Sequence, residues 1–206
     1  MTDYFALLDE PRRPWLDPDA LKAKFLALAA KVHPDRVNDA TGGEKHAAHQ
    51  RYTELNAAYQ CLREAKERLR HLLELERGTK PDEVQKITSR TVDLFAEVSE
   101  LCREADLFLA EKARVTSPLL KVQLFERGMA LTDKLNAMLL KLNAQHDALT
   151  EQIRFLNMAW ESAPPVGSSA RGNVLPLSRL EDIYRDFSYL TRWQRQIQER
   201  SVQLSF

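Results

Sequence analysis

The sequence predicts an all-α protein, in which an antiparallel helical hairpin with short flanking helices is followed by an antiparallel three-helix bundle. Apolar residues recur at spacings of three and four along most of the 206 residues, which is the period of an amphipathic helix. Glycine and proline are few, at six and nine. No stretch alternates apolar and polar residues over the length of a strand. The chain therefore predicts helices joined by short connections.

The first long helix is predicted to begin at Asp17. Its side chain can cap free backbone amides, Pro18 follows where a missing N–H costs nothing, and Asp19 complements the helix dipole. An apolar stripe then predicts one buried helix face; it is formed by Leu21, Phe25, Leu28 and Val32. Pro34 disfavours the helical conformation at His33, so this helix should end there.

A His-Pro-Asp triplet, His33, Pro34 and Asp35, follows this helix. Residues 38–43 read as a loop, and a second stripe predicts the next helix; it contains Ala48, Tyr52, Leu55, Tyr59 and Leu62. The two helices can pair antiparallel, with the triplet exposed at the tip between them. Taken alone, the triplet also fits an ordinary turn that ends a helix.

The triplet and its flanking residues resemble a J domain, the module that drives Hsp70 chaperones to hydrolyse ATP. The residues that carry the resemblance are Asp3-Tyr4-Phe5, His33-Pro34-Asp35-Arg36 and Asn56 to Leu62. The similarity is to HscB-type iron–sulfur co-chaperones in particular. Two positions depart from the usual pattern, since Val32 stands where tyrosine is common and Arg36 where lysine is common.

The resemblance implies how the domain would work. His33, Pro34 and Asp35 would trigger ATP hydrolysis in an Hsp70 partner, either HscA or a DnaK-like chaperone. An acidic Hsp70 surface would be met by basic side chains, which are Lys22, Lys24, Lys31 and Arg36. The same charges could simply belong to a solvated helix face. Their position beside the triplet favours a docking role, because charges there would steer the approach of an acidic partner.

A helix over residues 64–76 is predicted to end at Gly78, with Pro81 soon after it. Leu72 to Gly78 is similar to the segment where HscB-type proteins join their two domains. We therefore predict a J domain over residues 1–78 and a helical bundle over residues 79–206.

The bundle is predicted from three apolar stripes. The first runs from Leu94 to Phe108, the second starts at Ser117-Pro118 and continues toward Trp160, and the third runs from Leu180 to Ile197. Residues 163–176 are rich in Pro, Gly and Ser and predict a loop. Ser178 and Glu181 have the spacing of a capping box at the start of the last helix.

The resemblance implies that the bundle binds a client, the iron–sulfur scaffold protein (IscU-like), through its first and last helices. The candidate contact residues are Phe95, Glu100 and Tyr189. Other positions of the transferred face have changed chemistry: Ala96, Ser99, Arg103 and Leu107. The alternative is a structural or adaptor protein whose helices recruit Hsp70 to a different client.

Composition argues against several other functions. Lys+Arg and Asp+Glu are balanced at 30 each, so no basic platform for nucleic acid is expected. No apolar run approaches the length of a membrane span, and the start of the chain favours a cytoplasmic protein. We expect no enzyme activity and no cofactor, because no nucleophile–base pair, phosphate loop or metal constellation is present.

The cysteines and histidines are expected to be structural or solvated. Cys61 and Cys102 lie far apart on apolar helical positions, which suits reduced core thiols. His46 and His49 have a spacing compatible with metal binding but lack further ligands. We expect these two histidines, and also His71 and His146, to be solvated.

Overall fold

The structure is a computed structural model and describes residues 1–32, 42–81 and 91–205. The described residues form eight α-helices and no strand, which confirms the predicted all-α fold class. The helices are α1 (Tyr4–Leu7), α2 (Pro18–Lys31), α3 (Gly42–Arg63), α4 (Ala65–Arg77), α5 (Val92–Lys112), α6 (Pro118–Glu161), α7 (Arg171–Val174) and α8 (Leu177–Ser205).

Two compact units make up the chain. The first comprises Met1–Glu83 and Thr150–Tyr184, and the second comprises Val84–Leu149 and Arg185–Phe206. Helices α6 and α8 each contribute residues to both units. The boundary between a J domain ending at residue 78 and a bundle starting at residue 79 remains a prediction. The compact units are defined by contacts between residues and not by activity.

Local signals set the ends of α2 and α4 as predicted. Asp17 accepts a hydrogen bond from the Ala20 amide at 2.8 Å and caps α2. Helix α4 ends at Gly78, whose φ of 75° lies in the left-handed region that glycine adopts without strain. The residues that follow α2, His33 to Arg36, lie outside the described part of the chain.

The core of the first unit contains apolar side chains from α1 to α4 and from the α1–α2 connection. Phe25 of α2 stacks on Tyr59 of α3 with ring centroids 4.4 Å apart. Each fully buried Leu or Phe contributes roughly 1.5–3 kcal/mol relative to an exposed side chain. The fully or nearly fully buried ones include Phe5, Leu8, Leu16, Leu21, Leu55, Leu62, Leu69, Leu72 and Leu73.

Side-chain pairs define the directions of the helices in the second unit. Residues later in α5 pair with residues earlier in α6, so these two helices are antiparallel. The pairs are Glu97–Lys141, Glu104–Lys134 and Glu111–Arg127. Residues later in α5 contact residues later in α8, so these two helices are parallel. The contacts are Asp106–Arg200 and Lys112–Leu204. The unit is therefore an antiparallel three-helix bundle, as predicted.

Four expectations from the sequence need correction. Gly42 and Gly43 are helical because α3 begins at Gly42. The predicted 163–176 loop contains a short helix, α7. Helix α8 begins at Leu177, so Ser178 lies inside its first turn and is not the cap. His71 is buried and not solvated, because α4 turns it toward the N-terminal segment.

Candidate functional site

The basic residues predicted to face Hsp70 lie on α2. Lys24 and Lys31 are seven positions apart and share one side of the helix, whereas Lys22 lies roughly opposite Lys31. Lys22 and Lys31 are exposed. The rest of the predicted set, His33, Pro34, Asp35 and Arg36, lies outside the described residues.

Lys24 also has a structural role in the first unit. Its Nζ donates to the Asp9 carbonyl at 2.6 Å and lies 3.0 Å from a carboxylate oxygen of Glu10. Asp9 has a φ of 54°, which marks a tight turn after α1. This ammonium group therefore holds the turn against α2, while Lys31 has no ion pair within the described residues.

Buried polar residues on α4 hold the N-terminal segment in place. Arg68 donates from Nε to the Pro14 carbonyl at 2.7 Å and from Nη1 to the Leu62 carbonyl at 2.6 Å. Burial lowers the pKa of Arg68 to about 10, so this side chain remains charged at neutral pH. Arg68 was missed in the sequence because an arginine in a helical stretch reads as a solvated residue.

His71 is the second buried polar residue on α4. Its Nε2 accepts a hydrogen bond from the Tyr4 amide at 3.1 Å, and its ring lies 4.6 Å from the Tyr4 ring. Accepting this bond requires an unprotonated Nε2. Burial lowers the pKa of His71, which favours the same neutral form.

Residues 150–184 pack with the N-terminal helices inside the first unit. The Asn157 amide accepts from the Trp15 N–H at 2.9 Å and donates to the Trp15 carbonyl at 3.0 Å. Arg171 forms two hydrogen bonds of 2.9 Å with the Glu76 carboxylate, and both side chains are buried. The Asn157 contact holds the connection before α2, and the Arg171 contact holds the C-terminal end of α4.

The three candidate client-binding residues lie in the second unit and differ in exposure. Phe95 is 43% exposed, whereas Tyr189 is only 6% exposed. The Tyr189 ring stacks on Trp193 at 5.6 Å, and the Phe95 ring lies 6.3 Å from the same tryptophan. Trp193 therefore links the two aromatic positions, a role that the sequence did not indicate.

Glu100 is engaged on its own helix. Arg103 donates to the two carboxylate oxygens of Glu100 at 2.6 and 3.1 Å, and this hydrogen bonding lowers the pKa of Glu100. Leu107, two turns beyond Glu100 on α5, is 60% exposed. The face therefore combines exposed apolar side chains with a neutralised charge pair.

The cysteines and exposed histidines carry no reactive arrangement in the described part of the chain. Burial raises the pKa of the Cys61 thiol to about 11 and also raises that of Cys102, so both stay protonated at neutral pH. His46 and His49 are exposed. Across residues 1–32, 42–81 and 91–205, no cluster of three or more His, Cys, Asp or Glu could hold a metal ion, and no helix has the length and apolar character of a membrane span.

Comparison with known proteins assigns the N-terminal part of the chain. Residues 3–72 match the DnaJ domain family. The HscB co-chaperone homologue of Chromobacterium violaceum is 40% identical over 73 residues, and that of Bordetella pertussis is 42% identical over 72 residues. Each match covers 35% of this chain and 42% of the relative, so the aligned stretch spans less than half of these relatives.

Comparison with solved structures covers nearly the whole chain. Human co-chaperone protein HscB aligns with a TM-score of 0.67 at 18% identity, covering 98% of this chain and 83% of the human chain. The chaperone HscB from Vibrio cholerae aligns with a TM-score of 0.62 at 22% identity, covering 98% and 99%. At these identities the likeness concerns the fold.

The chain contains a DnaJ domain over residues 3–72, as the sequence resemblance predicted. The curated relatives of this stretch are HscB co-chaperone homologues, and the fold of the chain is similar to that of solved HscB structures.

Proposed function

We propose that the protein is a co-chaperone that stimulates the ATPase of an Hsp70-type chaperone, HscA or DnaK-like, through His33, Pro34 and Asp35. The observation that carries the proposal is the DnaJ domain match over residues 3–72, which includes the triplet. The exposed ammonium of Lys31, two residues before His33, supports it because a nearby positive charge steers docking onto an acidic surface. Lys22, Lys24 and Arg36 complete the proposed basic set.

The test is Asp35→Asn, which removes one charge from the triplet. We expect stimulation of Hsp70 ATPase to fall to the basal rate, measured by steady-state phosphate release. Asp19→Asn is the matched control, because Asp19 is an exposed acidic residue in the first turn of α2 and lies away from the triplet. Full stimulation by the Asp35 variant would contradict the proposal.

The proposed client is an iron–sulfur scaffold protein, IscU-like, bound by residues 79–206. This part of the proposal is supported by the HscB fold of the chain and by the exposed aromatic ring of Phe95. Glu100 and Tyr189 are the other proposed contacts. Exposed apolar side chains grouped on one face are typical of protein interaction sites.

A second candidate is a J-domain adaptor that recruits Hsp70 to a different client. Two observations favour it: Tyr189 is packed against Trp193, and Glu100 is paired with Arg103. Both features leave fewer groups available for a scaffold than the resemblance implies.

Calorimetry with the scaffold protein of the same organism separates the two candidates. If the scaffold is the client, Phe95→Ala should weaken binding about tenfold, the loss of about 1.4 kcal/mol expected for one interface anchor. Val202→Ala, a truncation of an exposed apolar residue on α8, is the control and should bind normally. Absence of binding by the unmodified protein, with ATPase stimulation intact, would favour the adaptor.

A further inference from the structure

An apolar cleft of about 620 Å³ opens in the second unit, between α5, the N-terminal part of α6 and the end of α8. Phe108 and Leu124 are buried at its base, while Phe125 and Met129 stand 67% and 55% exposed at its edge. None of these residues was part of the client face implied by the sequence. The volume falls in the range of ordinary ligand sites, about 300–1,000 Å³.

Helix α6 presents exposed apolar side chains to this cleft. Phe125 and Met129 line it and are four residues apart, so they share one side of α6. Gly128 stands next to the base, where an added Cβ would lie 3.2 Å from the Phe108 ring. The glycine therefore allows the Phe108 ring to lie directly against the α6 backbone.

One end of the cleft is lined by positively charged side chains and the other end by a negatively charged one. Lys112 and Lys121 lie toward the start of α6, and Asp133 lies toward its middle. Lys121 and Asp133 are twelve residues apart, or ~18 Å along a helix axis. Neither has an ion pair within the described residues, whereas the Nζ of Lys112 donates to the Leu204 carbonyl at 3.1 Å.

We propose that this cleft binds a short apolar peptide segment of a client protein, with an acidic residue near Lys121 and a basic residue near Asp133. The concave base between three helices accepts protruding side chains, which a flat lipid surface lacks. An extended segment of about six residues spans the ~18 Å between the charged ends. This inference rests on the proposed co-chaperone function, because the J domain would bring Hsp70 to the bound segment.

Three fluorescent peptides with the same Leu/Phe centre test the charge pattern. One carries acid at one end and base at the other, one carries acids at both ends, and one carries bases at both ends. Fluorescence anisotropy with the full chain should show at least ~5-fold tighter binding of the first, because each mismatched end places like charges together. Equal affinities, or no binding of any peptide, would overturn the proposal.

Two variants place the peptide in the cleft. Asp133→Lys should reverse the preference in favour of the peptide with two acidic ends. Phe125→Gln with Met129→Gln should reduce affinity at least tenfold, while Leu140→Gln, at a 71% exposed position of α6 outside the cleft, should bind as the unmodified protein does. Helicity measured by circular dichroism checks that the variants fold, and an unchanged preference in the Asp133 variant would contradict the assignment.

Two further measurements separate this proposal from its alternatives. Sedimentation with phosphatidylglycerol vesicles should give no binding; binding to vesicles but not to peptides would replace the peptide by a membrane. ATPase stimulation by the unmodified protein is measured without peptide. Stimulation without peptide binding would overturn the cleft proposal alone, whereas peptide binding without stimulation would overturn the proposed co-chaperone function.

Discussion

Polar contacts that join separate segments of the chain can be compared between the two compact units, and the clearest examples differ in burial. In the first unit, buried polar side chains bond to specific backbone groups or to one another, as Arg68 does with Pro14 and Arg171 with Glu76. In the second unit, the ion pairs that join α5 and α6, such as Glu97–Lys141, lie at the surface with both side chains nearly half exposed.

The difference indicates where each unit tolerates change. A buried charge that loses its partner costs several kcal/mol, because water cannot replace the lost bond. An exposed ion pair contributes at most about 1 kcal/mol, because water and salt screen it. Changes at the buried pairs of the first unit should therefore destabilise the protein more than changes at the exposed pairs of the bundle surface.

The largest effect is expected from Arg171→Met. This change leaves the buried Glu76 carboxylate and the Pro164 carbonyl without their partner. We expect the free energy of unfolding, measured by urea denaturation, to fall by about 3–5 kcal/mol. Lys141→Met removes the exposed partner of Glu97 and should cost less than about 1 kcal/mol.

A double variant sharpens this contrast. Glu76→Leu combined with Arg171→Met removes both charges and should recover most of the lost stability, since an apolar pair of similar volume often replaces a buried ion pair without cost. If Arg171→Met and Lys141→Met are equally destabilising, the distinction between the two units is wrong.

Features encoded by neighbouring residues could be predicted from the sequence. The start of α2 depends on Asp17 and Pro18, and the end of α4 depends on Gly78, so local capping rules were sufficient. Apolar spacing likewise predicted the long helices and how α5, α6 and α8 pair, whereas the short helix α7 was not predicted. The J-domain resemblance was readable because its motif and its flanks lie within one short stretch.

Features that join distant residues could not be predicted in the same way. Arg171 and Glu76 are 95 positions apart, and neither has a neighbour that reveals the pair. The same reason explains why His71 was expected to be solvated: its partner, the amide of Tyr4, is a backbone group without a sequence signature. The proximity of Phe95 to Trp193 is a further case, because the two rings lie on different helices, 98 positions apart in the sequence.

His71 should make a smaller contribution to the free energy of unfolding, and this contribution should depend on pH. In the folded protein its pKa lies below the ordinary value, mainly because of burial, with Asp3 and Glu74 opposing and Arg70 and Arg12 reinforcing the shift. The unfolded chain, with a histidine pKa near ~6.5, therefore binds more protons below that pH than the folded chain does. Stability due to neutral His71 is complete above pH ~6.5 and is lost as the pH falls through the folded-state pKa.

His71→Leu tests this linkage. The variant leaves the Tyr4 amide without its acceptor and should lose about 1–3 kcal/mol at pH 7, measured by urea denaturation. Its stability should then fall less steeply than that of the unmodified protein between pH 6.5 and 5, because the proton-binding difference at His71 is gone. His49→Gln changes an exposed histidine and should leave both values unchanged. An identical pH slope in the His71 variant and the unmodified protein would show that the buried imidazole does not couple folding of the first unit to pH.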